Sequence, residues 1–287
     1  MNIKDYCCDG TKTFSPQRFD TSNTADFASK EQASARLAAN IDRMAQLQDR
    51  LYAENKEAVL IIFQAMDAAG KDGAIKHVMS GMNPQGITVH NFKQPTSEEL
   101  DHDYLWRAMR ALPNRGNIGI FNRSYYEDVL IVKVHELYKN LPLPKRCLTD
   151  DFFERRYRQI VDFERYLDEN GIRVIKFFLH ISKDEQKQRF LARIDDPDKN
   201  WKFSQSDIEE RTYWDDYQEA YADAINATST EIAPWYIIPS DKKWFARLLI
   251  SEIIVKTLED IDPQYPELPQ EKVKLLGDCR ERLLKEK

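Results

Sequence analysis

The stretch Gln64-Ala65-Met66-Asp67-Ala68-Ala69-Gly70-Lys71-Asp72-Gly73 sets two carboxylates, an ammonium and two glycines within ten residues. It follows the apolar run AVLIIF at 58–63 and precedes a helical pattern over 70–79. A glycine at such a turn lets backbone N–H groups approach an anion, the helix start adds a partial positive charge, and Lys71 adds a full one. The spacing approximates the phosphate loop GxxxxGK[ST], with Ala65 for its first glycine and Asp72 for its hydroxyl residue. Candidate phosphate contacts are therefore Ala68, Ala69, Gly70, Lys71, Asp72 and Gly73. A plain strand-to-helix turn with an exposed lysine is the structural alternative. The hydroxyl normally holds Mg²⁺. With aspartate at 72, Asp67 is the candidate metal ligand, because a carboxylate among phosphates makes sense when a divalent cation bridges them.

A second candidate cluster follows the run IGIF at 118–121: Asn122-Arg123-Ser124-Tyr125-Tyr126-Glu127-Asp128. In open α/β sheets ligands bind at the carboxyl ends of strands. Arg123 is placed to share a crevice with Lys71, and Asn122 stands where a phosphate-loop enzyme usually carries an aspartate. Ser124 as a helix cap with acids in the first turn is the bland account of the same residues. A third cluster is basic. Lys187, Arg189 and Arg193 precede the polar stretch DDPDKNWKFSQ at 195–205, Lys199 and Lys202 lie in it, and Arg211 follows. It reads as a solvated charged helix or as a lid that closes over phosphate and excludes water.

These clusters need a scaffold to bring them together. Strand patterns at 58–63, 87–92, 118–121, 174–181 and 235–238 alternate with helical patterns at 30–55, 70–79, 98–111, 150–169, 183–194 and 242–258. Such alternation predicts an α/β fold: a five-stranded parallel sheet between helical layers. The chain of 287 residues is expected to form one domain, with an N-terminal arm over 1–30, a lid over 194–215 and a C-terminal tail over 260–287. Net charge is 42 − 48 = −6, so a nucleic-acid partner is not expected. No apolar run reaches the roughly 18 residues of a membrane helix, and the start MNIKDYCCDGTKTF lacks the apolar core of a secretory signal. Four scattered cysteines suit reduced thiols in the cytoplasm.

The blocks MDAAGKDG (66–73), VHNFKQPTSEELDHDYLWR (89–107), IGIFNRSYYEDVL (118–130) and RIDDPDKNWKFSQSDIEERTYWDDY (193–217) resemble the family-2 polyphosphate kinases, over about residues 30–258. The resemblance implies a three-layer α/β/α, P-loop kinase-like fold with a helical lid. It implies Mg²⁺-dependent, reversible transfer of the terminal phosphoryl of inorganic polyphosphate to a nucleotide. Carried onto this chain, Asp67 would hold Mg²⁺, Gly70 and Lys71 would cradle nucleotide phosphates, and Arg123 would meet the transferring group. Arg193, Lys199 and Lys202 would serve the lid side, and Lys76 and Lys93 would line a polyphosphate channel. Phe121-Asn122-Arg123-Ser124 departs from the FDRS of many members, which removes one expected metal ligand. Glu127 falls where many ADP-preferring members carry asparagine, and with Asn122 it resembles the third class, which phosphorylates both AMP and ADP. Adenine or guanine nucleotides and a dimer or tetramer are further implications. An ATP-dependent kinase of a small metabolite and a non-catalytic sensor of nucleotide or polyphosphate are the alternatives that Ala65, Asp72 and Asn122 leave standing.

Overall fold

The computed structural model describes residues 1–286 and, at Lys202, the backbone alone. Its sheet has six strands: β1 (Cys7–Cys8), β2 (Ala58–Gln64), β3 (Ile87–Asn91), β4 (Ile118–Asn122), β5 (Ile172–His180) and β6 (Trp235–Pro239). Their order is β1-β6-β5-β2-β4-β3. The five expected strands are all present and mutually parallel. The sixth, β1, corrects the expectation of a five-stranded parallel sheet: it runs antiparallel to β6, with Cys7 opposite Tyr236 and Cys8 opposite Trp235. Two residues carry no periodicity to detect. The pairing is held instead by the arm's own anchors, since Phe14 is buried, its N–H donates to Asn226 Oδ1 (2.7 Å) and Thr21 Oγ1 donates to Asp241 (2.7 Å).

Residues 58–63 of β2 are fully buried, the mark of a central strand covered on both faces. Each large apolar side chain buried this way contributes about 1.5–3 kcal/mol. The longer helices are α1 (Lys30–Glu54), α2 (Lys71–Val78), α3 (Phe152–Glu169), α4 (Lys183–Ile194), α5 (Trp214–Thr228), α6 (Lys243–Ile261) and α7 (Gln270–Lys285). Helix α1 packs on α6 and α6 on α2, while α3 packs on β5 and α5. This is the three-layer α/β/α arrangement. Where one helix is expected over 98–111, there are two single turns, Ser97–Leu100 and Trp106–Met109. The reason is local: Thr96 and Glu99 cap the first turn, and Asp103 Oδ1 accepts the N–H of Leu105 (3.0 Å), which starts the second. No helix among the described residues is long and apolar enough to cross a membrane.

The chain runs from β2 to one side to make β3 and β4, then to the other to make β5 and β6. The carboxyl ends of the strands where this direction reverses are the expected place for a ligand. Register brings them level, with Asn122 paired to both Phe63 and Asn91.

Candidate active site

The loop from β2 to α2 turns through two left-handed residues, Ala68 (φ 61°) and Gly70 (φ 109°). Glycine adopts this conformation freely; alanine pays about 1–2 kcal/mol. Gly70 then caps α2, and Lys71 is its first residue. The half-buried Lys71 donates to Ala65 O (2.8 Å), its sole hydrogen bond among the described residues. Burial pushes its ammonium down to about 8; repulsion from Arg123 adds to this, and Asp67 and Glu127 pull back.

At the end of β4, Arg123 is also left-handed (φ 61°) and its N–H donates to Phe63 O (3.0 Å). Its Nη2 donates to Asp67 Oδ1 at 2.9 Å, which ties the two strand ends together. The Asn122 amide donates to Asp72 Oδ1 and Asn91 Oδ1, both at 2.8 Å. Asn122 therefore fastens the phosphate loop to β3. The segment beyond is a 3-10 turn, Tyr125–Val129, rather than a regular helix, with Ser124 Oγ accepting the N–H of Tyr126 (3.2 Å). Glu127 accepts from Gln64 Nε2 (3.2 Å). Asp128 turns inward, and burial raises its carboxyl to about 6 against the pull of Arg156 and Arg107.

A cleft of about 1370 Å³ opens over these strand ends. It brings together Asp67, Lys71 and Arg123, with Ala68, Ala69, Gly70, Asp72, Gly73 and Asn122 on its floor. Lys76 and Lys93 line one flank, and Arg193 and Lys199 line the lid side. Lys202 has its backbone in the 3-10 turn Asn200–Lys202, and its side chain lies outside the described residues. Glu127 is placed elsewhere: with Arg211, Tyr217 and Tyr221 it lines a smaller cavity of about 260 Å³, and Lys187 lines neither cavity. The two cavities share Asp67, Arg123 and Asp207. Asp207, on the lid turn Ser206–Glu210, lies 3.8 Å from Arg193, and burial and the nearby Asp67 raise its carboxyl.

The sequence reading missed two cations of the cleft. Lys243 and Arg247, one turn apart at the start of α6, line it and make no hydrogen bond or ion pair among the described residues. Lys243 is pushed down by burial and by the neighbouring charges of Arg189 and Arg247. The spacing i, i+4 in KWFAR was the available signal, hidden by its distance in sequence from the other motifs. Two residues of the basic cluster, one before the polar stretch 195–205 and one after it, face inward to protein acceptors. Arg189 and Arg211 are occupied within the protein: Arg211 donates to Lys183 O (2.7 Å) and Gln186 Oε1 (2.8 Å), and Arg189 to loop carbonyls.

A phosphate loop, an arginine at the next strand end and a cation-lined cleft are what phosphoryl transfer requires. The model of the family described as polyphosphate kinase 2 matches residues 27–266. The chain belongs to the polyphosphate kinase 2 family. It is 52% identical to an ADP-polyphosphate phosphotransferase of Rhodopseudomonas palustris, over 90% of each chain. It is 47% identical to an AMP/ADP-polyphosphate phosphotransferase of Meiothermus ruber, over 92% of this chain and 96% of that one. The crystal structure of polyphosphate kinase 2 from Arthrobacter aurescens superimposes with a TM-score of 0.84 at 42% identity, covering 92% of this chain and 93% of that one. The cleft described above is lined from all four blocks on which the resemblance rests, with Lys71, Lys93, Arg123 and Lys199 one from each.

Proposed function

We propose that this polyphosphate kinase 2 transfers the terminal phosphoryl of inorganic polyphosphate to AMP and then to ADP, reversibly and with Mg²⁺. The observation that carries the reading is the meeting of Asp67, Lys71 and Arg123 around one cation-lined cleft. Polyphosphate is a linear polyanion, so it needs a row of cations rather than a shaped pocket. Lys76 and Lys93 supply that row on one flank, and Arg193 and Lys199 face it from the lid. Gly70 and Lys71 hold acceptor phosphates, and Arg123 meets the group in transit. An acceptor phosphate oxygen is already ionised at neutral pH, so positioning and charge neutralisation carry the reaction and no strong base is required.

The residues fit a magnesium ion. Asp67 Oδ1 accepts from Arg123, and Oδ2 makes no hydrogen bond among the described residues. Magnesium is usually held by one or two carboxylates together with substrate phosphates and waters. When bound it neutralises charge on bridging phosphate oxygens. Asp67, which lines both cavities beside Arg123, is the proposed ligand, while Asp72 Oδ1 accepts from Asn122. None of the five histidines lines either cavity, which supports direct transfer without a phosphohistidine.

Glu127 is the reason for including AMP. It lies in the small cavity beside Arg123, where its charge opposes the further negative charge of ADP relative to AMP. The two relatives are named for different acceptors, one for ADP and the other for AMP and ADP. Four free thiols support a cytoplasmic setting, and the exposed Leu275, Leu276, Leu283 and Leu284 of α7 support a homo-oligomer. The test is AMP or ADP with polyphosphate and Mg²⁺, read for ATP. ATP from both acceptors is expected. A requirement for ATP as donor would point to a metabolite kinase, and binding without turnover to a sensor.

A further inference from the structure

The geometry points to Arg189 as a positioning residue that shapes the phosphate loop from behind, without touching phosphate itself. It is 6% exposed and lies in the middle of α4. Its guanidinium has five N–H donors. Nε donates to Glu185 Oε1 (2.8 Å), Nη1 to Ala68 O (3.0 Å) and Ala69 O (2.7 Å), and Nη2 to Ser240 O and to Asp241 O (3.3 Å). All five donors are spent on protein acceptors, four of them backbone carbonyls. Arg189 lines the cleft, yet it has no hydrogen left for a substrate oxygen.

The four carbonyls belong to two loops, one after β2 and one after β6. One fork therefore fixes the phosphate loop against the turn that leads into Lys243 and Arg247. It also acts on the strained point of that loop. Ala68 is left-handed without being glycine, and its carbonyl is among those held. In a trans peptide the C=O and the next N–H point opposite ways, so holding Ala69 O sets the direction of the Gly70 N–H. Gln186, one turn earlier on α4 and 2% exposed, donates to Asp67 O (3.0 Å) and extends the same support by one residue. A lysine at 189 keeps the charge but cannot reproduce a planar fork that reaches two loops.

This inference rests on the phosphotransfer reading, and the experiment separates the two. Wild type, Arg189→Lys, Arg189→Ala and Arg165→Lys are compared in steady state with ADP and polyphosphate, normalised to folded protein by circular dichroism. Amide hydrogen exchange over residues 66–73 is followed without substrates. Both Arg189 variants are expected to lose kcat on the order of 10²-fold through loop misplacement. Their KM for polyphosphate and its salt dependence should stay within about threefold of wild type, because no phosphate contact is removed. Exchange over 66–73 should speed up in both, and Arg165→Lys, an exposed change on α3 away from both cavities, should stay close to wild type in kcat and in exchange. A kcat near wild type in Arg189→Lys, or a raised KM with a flatter salt dependence in Arg189→Ala, would overturn the inference. So would a fall in melting temperature with kcat per folded molecule unchanged. If Arg189→Ala does not fold, Arg189→Lys and the exchange measurement carry the decision. An inactive wild type would sink the functional reading and leave the exchange comparison to judge Arg189.

Discussion

Two lysines of this protein sit in opposite circumstances. Lys176, in the middle of β5, is fully buried and its ammonium is saturated: it donates to Glu164 Oε2 (2.6 Å), Tyr126 OH (3.0 Å) and Thr228 O (2.8 Å). Glu164 is saturated in turn, accepting also from Tyr125 OH and Tyr126 OH, both at 2.9 Å. Lys71 is half-buried and makes one hydrogen bond, leaving two of three N–H groups unspent. A buried polar group is normally satisfied, since an orphan costs about 1–3 kcal/mol. The interior around Lys176 obeys that rule and the phosphate loop does not. Spare hydrogen-bonding capacity on a withdrawn charge therefore marks where a ligand completes the protein. The carboxylates divide the same way, three donors on Glu164 against one on Glu127.

The strongest way to break this comparison is to exchange the outcomes. Lys176→Ala leaves Glu164 buried without its counter-ion and should lower the unfolding free energy by about 3–5 kcal/mol, measured by urea denaturation. Replacing the pair together by Glu164→Leu and Lys176→Met should restore most of that loss. Lys71→Ala should do the reverse: turnover falls on the order of 10²-fold while stability stays within about 1 kcal/mol of wild type. Comparable stability losses at both sites would end the distinction.

The pH dependence of Lys71 sharpens it. Its folded value, about 8, lies below the ordinary 10.5, so between these the unfolded chain binds more protons and this group's contribution to stability rises with pH. Activity runs the other way, because phosphate binding needs the ammonium. The kcat/KM for ADP should fall as pH passes about 8. Lys71→Arg, which stays charged, should lack that descending limb whatever its absolute rate.

Much of this was readable beforehand, for physical reasons that also fix the limits. Strands β2 and β4 and the loop between β2 and α2 announce themselves because a buried parallel strand is a continuous apolar run and its terminal glycine is rare in a chain with nine. The meeting of Asp67, Lys71 and Arg123 follows from placing both motifs at carboxyl ends of one sheet. Three things were not legible. β1 is held by tertiary contacts of Phe14 and Thr21 rather than by its own pattern. The division of the basic residues needs donor accounting: Arg189 and Arg193 are identical in sequence terms, yet the first is spent on carbonyls and the second reaches Asp207 only at 3.8 Å. Helix α5, which carries Tyr217 and Tyr221 to the small cavity, has an alternation too mixed with acids to stand out in WDDYQEAYADA.

Glu127, the under-satisfied carboxylate, should show a smaller effect than either lysine. Glu127→Asn removes one charge beside Arg123 while keeping an acceptor for Gln64. The ratio of ADP to AMP turnover should rise by roughly 5–10-fold, the size of one screened charge interaction of about 1 kcal/mol. Initial rates with each acceptor at saturating polyphosphate decide it, and an unmoved ratio would show that Glu127 does not set acceptor choice. Glu164, fully satisfied, offers the contrast: Glu164→Gln should destabilise the protein and leave the ratio alone.

The weakest effects belong to cations that are unspent but also well solvated. Lys76 and Lys93 are exposed on the flank of the cleft, whereas Arg247 is half-buried and its side chain lacks a protein partner among the described residues. Water already satisfies the first pair, so polyphosphate gains little beyond screened attraction and counterion release from them. Lys76→Ala or Lys93→Ala should raise KM for polyphosphate only about twofold to threefold at moderate salt. Each should also flatten the plot of log KM against log salt by less than about one unit. The same substitution at Arg247 should cost more, because partial burial has already removed some of the water that would otherwise compete with phosphate. Equal effects from the two exposed lysines and from Arg247 would mean that charge alone, and not unsatisfied donors, governs binding along this cleft.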